Sequence, residues 1–397
     1  MFDQNKKTAP GQPLKNKKKM WRIVIFVGVI LLIIGGVFAF KTGFILNKVT
    51  GGKANIFTSL IKSLPGADQT LKGESDGRIN VLLLGMRGEN VPGGGLLADT
   101  IMVLSIHPKD EKKEGDQSKA SLISIPRDLY IDVPEKGHKS KINSVFAYGE
   151  ERARHSGGSE DMRKAVGEIT GLDIPYAITI NFKGFVDLVN ALGGITVSLP
   201  EAFNESLQFH EPQVCDANVY TVPTRPPQFQ HKYYTRQDGS KYIAKSYPLC
   251  YNHDEECGGN FSLPQGENKL DGNKALCYAR SRYASSDFDR ARRQQQVIQE
   301  IKETALSAGT LTDFSKINGI LDSLGNNVST NMAAWEMKRF FDLYQKIGDV
   351  QPTQKVLENS EEGLLYAPEM TKEAGYHLVP RGNNYDKIRE LFRNSLN

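Results

Sequence analysis

The chain has 397 residues, of which 39% are hydrophobic and 24% charged, a globular make-up long enough for two or three domains or one large one with additions. Its net charge of +4 is local: setting aside the six lysines among the first twenty residues, Arg22 and Asp3 leaves the remainder at about −2. A body without excess positive charge argues against general nucleic-acid binding, which needs a basic face for the phosphate backbone.

The elements follow in chain order. After the lysine-rich stretch 1–20 comes Trp21 to Phe40, twenty residues whose only charge is Arg22. That length crosses a bilayer core as a helix, and the lysines before it predict a cytoplasmic N-terminus. An uncleaved signal anchor is therefore expected, with the rest of the chain outside the cytoplasm. A cleaved signal peptide is the competing reading, but its apolar region is usually shorter and ends in a small-residue cleavage site. Residues 41–77 read as a juxtamembrane linker. Ile79 to Gly85, Thr100 to Ile106 and Ala120 to Ile125 are apolar runs of strand length, with a charged hairpin loop at Lys109 to Lys119. A helical pattern covers Lys141 to Thr170 and closes at Gly171. Tyr176 to Asn181 predicts a strand, Phe182 to Leu192 a helix ended by Gly193 and Gly194, and Ile195 to Leu199 another strand. Strands alternating with helices predict an α/β layered fold with helices on both faces of a sheet.

Residues 201–264 interrupt the alternation with polar, aromatic and proline-rich sequence and read as an insertion. Three of the four cysteines, Cys215, Cys250 and Cys257, lie there; one disulfide is expected on the oxidising side of a membrane, as Cys215–Cys250 or Cys250–Cys257. Cys277, in the apolar run from Ala275 to Tyr278, reads as a small buried residue. A zinc site at Cys250, His253 and Cys257 matches no standard spacing. Helices resume at Leu270 to Arg282 and Arg290 to Ser307. A C-terminal helical extension, 306–397, has helices near Met332 to Ile347 and Tyr385 to Leu396 and a strand at Tyr376 to Val379.

Four segments place polar groups where strands end or helices begin. Gly93-Gly94-Gly95-Leu96-Leu97-Ala98-Asp99-Thr100 sets a carboxylate at the mouth of a strand, where it could hold a metal or simply cap a turn. Ser124-Ile125-Pro126-Arg127-Asp128 puts Arg127 at a strand's carboxyl end, the usual ligand side of α/β folds; an Arg127–Asp128 surface arrangement is the alternative. Lys141-Ile142-Asn143-Ser144 opens a helix with a cation. Finally, Arg280, Arg282, Arg290, Arg292 and Arg293 surround only Asp287 and Asp289. Guanidinium forks match phosphate oxygens, and surplus positive charge wants an anion. Nucleophile-elbow, metalloprotease, phosphate-loop and dinucleotide signatures are absent from the sequence.

Taken together, these segments resemble the LytR-CpsA-Psr family of bacterial cell-envelope proteins. The likeness runs through Ile79 to Gly85, Ala98 to Met102, Ser124 to Asp128, Lys141 to Ser144, Ala191 to Ile195, Leu270 to Gly272, Tyr278 to Arg282 and Asp287 to Gln295. It covers about residues 78–305, with a looser echo beyond, and rests on order and spacing more than on one motif. The resemblance implies an αβα fold with a central, mostly mixed sheet and an apolar tunnel for a polyprenyl chain. It implies a phosphotransferase that moves a glycopolymer, with one phosphate, from a polyprenyl-pyrophosphate carrier to peptidoglycan. Carried over by position, Asp99, Arg127 and Arg290 would be catalytic. Lys141, Arg280, Arg282, Arg293 and Gln294 would bind the donor, and Asp99 and Asp287 would hold Mg²⁺. Three departures stand out: Met86-Arg87 after Gly85, Leu97-Ala98 before Asp99, and Asp289, whose charge would oppose phosphates beside Arg290. They keep two alternatives open, a sensor that grips the lipid pyrophosphate without turnover and a lipid pyrophosphatase.

Overall fold

The structure is a computed structural model that describes residues 69–396, apart from 90–94, 110–112, 206–211, 216–219, 237, 253–260, 282–284, 308–319, 321–323, 348–349 and 372–373. The expected basic tail, the Trp21 to Phe40 segment, most of the linker, Gly93, Gly94, His253, Cys257 and Arg282 lie outside the described residues. Among the described residues no helix is long and apolar enough to cross a membrane.

Strands β1 (Ile79–Met86), β2 (Thr100–His107) and β3 (Lys119–Ser124) form an antiparallel meander. Their aliphatic runs bury both faces of the ribbon, as the unbroken hydrophobicity predicts. A short hairpin, β4 (Tyr130–Asp132) with β5 (Lys139–Lys141), follows. The helical pattern from Lys141 to Thr170 resolves into two helices, α1 (Val145–Arg152) and α2 (Gly157–Thr170). The break falls at His155, which takes a positive φ of 63° and donates its backbone N–H to the Glu150 carboxylate. Gly171, at φ 69°, ends α2 in the left-handed conformation that glycine adopts without strain. β6 (Tyr176–Asn181) returns parallel to β1, and Asn181 caps α3 (Phe182–Ala191) by accepting from the Gly184 N–H at 2.8 Å.

β7 (Ile195–Leu199) leads into the insertion. β8 (Phe203–Glu205) precedes β9 (Gln213–Val214), β10 (Tyr220–Pro223), β11 (Phe229–Thr235) and the long β12 (Lys241–Asn252), which make a separate four-stranded antiparallel sheet. β13 (Phe261–Leu263) pairs with β8 and β14 (Gly266–Leu270) with β7, so the insertion leaves and re-enters the body at one place. Of the two pairings left open for Cys250, the structure has Cys215–Cys250. Cys277, expected as a small buried residue, is buried and is disulfide-bonded as well. Burial does not separate the two states, because a bridge sulfur is as apolar as a thiol.

α4 (Gly272–Arg280) and α5 (Asp287–Ser307) come next. The C-terminal part does more than extend the helices. β15 (Val328–Thr330) pairs antiparallel with β6, and after α6 (Ala334–Ile347) β16 (Thr353–Val356) pairs parallel with β3. The central sheet therefore has the order β15-β6-β1-β2-β3-β16, mixed in sense, with both edges supplied from beyond residue 305. Β-strands this short carry too little periodicity to be read from sequence. The two-residue strands β17 (Leu365–Tyr366) and β18 (Val379–Pro380) pair with each other before α7 (Asp386–Arg393).

Successive side chains of a strand face opposite ways, so the sheet has two packing faces. Leu82, Leu84, Ile101, Val103 and Ile123 pack with α1, α2 and α7 through Val145, Met162, Val166, Ile169, Ile388 and Phe392. Ile79, Val81 and Tyr176 meet Met332 and the α6 residues Met337, Phe340 and Leu343. On that second face Leu83, Leu104 and Ile178 are only half-buried although they belong to interior strands. A third apolar cluster joins β7, β14, α4 and α5 through Val197, Leu270, Ala275 and Val297.

The crossing of α3 and α4 depends on Gly272, where an added Cβ would lie 2.3 Å from the Val186 carbonyl oxygen. Gly272→Ala is expected to lower stability by about 1–3 kcal/mol through backbone displacement. Urea unfolding reads this directly, and an unchanged midpoint would show that the crossing yields without cost.

Candidate active site

The cleft at the carboxyl end of β3 is built by stitching three segments together. Ile125 donates its N–H to Ile101 O at 2.9 Å, continuing the β2–β3 ladder to the point where Pro126 ends it. Asn143 N–H donates to Arg127 O at 3.3 Å and Ala98 N–H to Asn143 O at 2.9 Å. The Lys141 to Ser144 segment thus ties the loop before β2 to the loop after β3 through its backbone. Ser144, just before α1, makes no side-chain cap and donates its hydroxyl to Lys141 O at 2.7 Å.

The first turns of α5 close the cleft from the other side. Asp287, Arg290, Ala291 and Gln294 all line it, the i, i+3, i+4, i+7 spacing of one helix face. Gln295 fixes the height of that helix. Its buried amide donates to Ser124 Oγ at 2.7 Å and to Lys355 O at 2.8 Å, joining α5 to the ends of β3 and β16. The cleft is narrow, about 30 Å³, and Asp99, Thr100, Ser124, Arg127, Asp128, Phe288 and Tyr376 complete most of its wall. A wider groove of about 960 Å³, lined by Lys355, Glu358, Lys387 and Glu390 among others, has mixed charges and no converging aspartates.

Arg127 is the centre of the charges. Its Nη1 donates to Asp99 Oδ1 at 2.9 Å, and its Nε lies 3.5 Å from both Asp128 Oδ2 and Asp287 Oδ2. Burial pulls its pKa down, but Asp99, Asp287 and Asp128 together more than offset this and raise it, so the guanidinium is permanently charged. Even so, Nε is buried and, among the described residues, makes no hydrogen bond beyond those two 3.5 Å ion pairs. Arg290 Nη1 lies 3.4 Å from Asp287 Oδ1, and Lys141 Nζ 2.7 Å from Asp128 Oδ1. Burial raises the Tyr376 phenol pKa, with Asp128 and Asp287 adding to the effect, so the hydroxyl is a neutral donor at the cleft wall.

Among the proposed residues, then, Asp99, Arg127, Asp287, Arg290 and Gln294 meet in one cleft. Lys141 supports it from outside by holding Asp128. Arg280 stands apart, its guanidinium 4.7 Å from the Phe182 ring centroid. Arg293, expected to bind the donor, points away from the cleft. One residue before Gln294 is about 100° around the helix, and there Arg293 is buried against Phe203 and Tyr278 and donates to the Tyr278 and Ser281 carbonyls. Arg292 is on a third face, paired with Asp289 and Glu358. The surplus of positive charge counted along the sequence is thus distributed around the helix.

Asp289 does not oppose Arg290 either. It accepts from Ser286 N–H at 3.0 Å and Ser286 Oγ at 2.8 Å, and the first of these leads the effects that lower its pKa. It serves the helix start. Met86 and Ala98, the other departures, are core residues. Among the lining residues that the site assignment from sequence did not include are Asp128, Tyr376, Thr100, Ser124 and Phe288.

Among the described residues no group of three or more His, Cys, Asp or Glu is placed to hold a metal ion. Asp99 and Asp287 nevertheless fit one demand of Mg²⁺, which takes one or two carboxylates and completes its shell from phosphate oxygens and water.

This geometry separates two arginines three residues apart. Arg290→Ala is expected to weaken polyprenyl-pyrophosphate binding at least tenfold while the unfolding midpoint holds. Arg293→Ala is expected to cost about 1–3 kcal/mol of stability by orphaning buried carbonyls. Isothermal titration and urea unfolding of both variants check the split, and equal loss of binding in the two would remove it.

Residues 48–376 match the LytR_cpsA_psr family, a longer stretch than the motifs alone mark out. The polyisoprenyl-teichoic acid–peptidoglycan teichoic acid transferase TagU of Bacillus licheniformis is 26% identical over 325 residues, covering 81% of this chain and 81% of the relative. TagU of Oceanobacillus iheyensis is 28% identical over 333 residues, covering 82% and 81%. Two crystal structures share the fold. B. subtilis TagV has a TM-score of 0.51 and 21% identity over 80% of this chain and 97% of its own. Protein gbs0355 from Streptococcus agalactiae has a TM-score of 0.52 and 21% identity over 83% and 91%. With its mixed sheet and a cleft assembled from the very motifs that carry the likeness, the chain belongs to the LytR-CpsA-Psr family.

Proposed function

We propose that this protein is a phosphotransferase that moves a glycopolymer, with one phosphate, from a polyprenyl-pyrophosphate carrier to a hydroxyl of peptidoglycan. The observation that carries the reading is the meeting of Arg127 and Arg290 with Asp99 and Asp287 in one cleft, where the buried Arg127 Nε has only ion pairs at 3.5 Å to Asp128 and Asp287. Ion pairs of that length leave the Nε proton short of a close hydrogen bond, which a phosphate oxygen can supply. The relatives' names, which specify teichoic acid and peptidoglycan, support the choice of donor and acceptor class.

In this reading Arg127 and Arg290 grip the pyrophosphate and take up the charge that grows on it during transfer. The acceptor oxygen bonds to the phosphorus that carries the glycan, and the bond from that phosphorus to the bridging oxygen breaks. The lipid monophosphate leaves, and Asp99 takes the acceptor's proton. Gln294 and the neutral Tyr376 hydroxyl orient phosphate oxygens from the cleft wall. Asp99 and Asp287 would hold Mg²⁺, whose chemistry when bound is to neutralise phosphate charge. The half-buried Leu83, Leu104 and Ile178 leave apolar surface on the second sheet face, and this supports a run for the polyprenyl chain there. The Trp21 to Phe40 segment would anchor the chain, leaving the cleft on the outer side, where the acceptor is.

The test uses the full chain in detergent with a labelled polyprenyl-pyrophosphate glycan, Mg²⁺ and peptidoglycan fragments, with products identified by mass. A phosphate-linked glycan on the fragment is expected, falling at least 100-fold in Arg127→Ala. Free glycan phosphate without an adduct would mean hydrolysis, and binding without turnover would mean a sensor. Chelation is expected to abolish transfer, and Asp99→Asn and Asp287→Asn to raise the Mg²⁺ concentration needed for half-maximal rate. Transfer indifferent to chelator would remove the metal from the scheme.

A further inference from the structure

The insertion carries a surface that the cleft chemistry does not use. β11 and β12 form a projecting antiparallel ribbon, and all of β11 is exposed. Between residues 220 and 252 the sequence has five Lys and Arg residues (Arg225, Lys232, Arg236, Lys241, Lys245) and one carboxylate, Asp238. Asp238 is spent in the turn, where it accepts from the Ser240 N–H at 2.8 Å.

The register sorts the side chains by face, because directly opposed residues of an antiparallel pair share one. Gln230 faces Tyr247, Lys232 faces Lys245, and beyond a bulge Tyr234 faces Tyr242. These form a single row of cations and tyrosines, continued by Arg236. Lys232 Nζ lies 5.3 Å from the Tyr234 ring centroid, Lys245 Nζ 5.4 Å from Tyr247, and the Arg236 guanidinium 4.9 Å from Tyr242. The other face carries Phe229, His231, Tyr233 and Ile243, with Lys241 near the tip.

Like charges directly opposite each other destabilise a strand pair. Lys232 and Lys245 are such a pair, and among the described residues neither is paired with a carboxylate. The ammoniums lean over neighbouring tyrosines, which recovers only about 0.5–1 kcal/mol each at an exposed site. An anion between them would turn the repulsion into binding, and the flanking phenols offer flat faces and hydroxyls to a sugar or polyol.

We infer that this face of the β11–β12 ribbon is a binding site for a linear polyanionic glycan whose phosphates meet Lys232, Lys245 and Arg236 while its sugars or polyols lie on Tyr234, Tyr242 and Tyr247. The inference rests on the proposed function for the identity of the polymer, and it assigns the ribbon the donor's glycan chain. Charge complementarity decides against a lipid surface as the occupant. The face with the exposed Phe229, Tyr233 and Ile243 carries one lysine, Lys241, whereas Lys232, Lys245 and Arg236 lie opposite, so most of the positive charge is away from the side that would insert into a lipid surface. The base of the ribbon is also fixed to the body. Cys250, bridged to Cys215, packs with Leu276 of α4 and with Phe182, Phe185 and Val186 of α3. Phe182 is the ring beneath Arg280. Polymer bound along the ribbon is therefore held on a support that is continuous with the helices bordering the catalytic domain's third apolar cluster.

The test measures binding of lipid-free poly(glycerol phosphate) to the full chain in detergent by titration, at several salt concentrations. Wild type is compared with Lys232→Gln/Lys245→Gln and with Tyr234→Ser/Tyr242→Ser. The lysine pair is expected to weaken binding about tenfold and flatten its salt dependence. The tyrosine pair is expected to weaken it at unchanged salt dependence, with the unfolding midpoint unmoved in both. Equal affinity in wild type and both variants would overturn the site. Loss of binding to phosphatidylglycerol vesicles in the lysine variant, with polymer binding intact, would reassign the ribbon to a membrane surface. Because the cleft also offers arginines to phosphate, Arg290→Ala is titrated alongside, and polymer binding unchanged in that variant assigns it to the ribbon. A wild type that binds polymer but transfers nothing would remove the proposed reaction and leave the ribbon site standing.

Discussion

One guanidinium holds the active region together. Arg127 receives carboxylates from the loop before β2, from its own loop and from the start of α5, three parts of the chain far apart in sequence. A buried arginine charge is expensive unless it is surrounded by acceptors, and here the aspartates are arranged around it at the expense of their own mutual repulsion. The cluster is consequently pre-organised: each aspartate is where it is because Arg127 is there. The backbone stitching through Asn143 and the buried Gln295 amide then fix the distances that the ion pairs alone would leave loose.

Such a cluster is poised between two descriptions. As a closed salt-bridge network it is balanced, since Asp99, Asp128 and Asp287 match Arg127, Arg290 and Lys141 in charge. As a binding site it is incomplete, since the Arg127 Nε proton meets its carboxylates only at 3.5 Å and makes no close hydrogen bond. A phosphate arriving there changes the balance of charge and fills the missing bond at the same time. The carboxylates that hold Arg127 would then be drawn toward whatever cation accompanies the phosphate, which fits the double assignment of Asp99 and Asp287 as arginine partners and metal ligands.

The sequence made much of this visible for physical reasons that can be named. Long aliphatic runs such as Ile79 to Gly85 have few structures open to them, and the strand ends that follow are where polar residues collect. Asp99 and Arg127 were legible because each sits at such an end. Arg293 shows the limit: five arginines counted as a charge cluster are one thing along a chain and another around a helix, where a single step of 100° takes a side chain from the cleft to the core. Applying the helix period from Asp287 onward selects Arg290 and Gln294 and rejects Arg293 without coordinates. Tyr376 could not be found that way. It reaches the cleft from almost ninety residues beyond α5's first turn, and the strand expected at Tyr376 to Val379, which the structure confines to Val379–Pro380, says nothing of what Tyr376 meets. The Cys215–Cys250 pairing was likewise undecidable, since chain separation favours neither candidate.

The edges of the central sheet have a temporal meaning as well. Thr179 on β6 and Ser329 on β15 touch although 150 residues separate them, and β16 reaches β3 across a still longer stretch. Contacts of that span form late, because the entropy of closing so large a loop is spent before they contribute anything. A chain emerging from its N-terminus therefore carries the meander of β1 to β3 for some time with its outer backbone unpaired. The arginine cleft matures only when the last strands dock, and Gln295 cannot find Lys355 before then. Half-made copies would therefore carry the residues of the cleft without the geometry that brings them together.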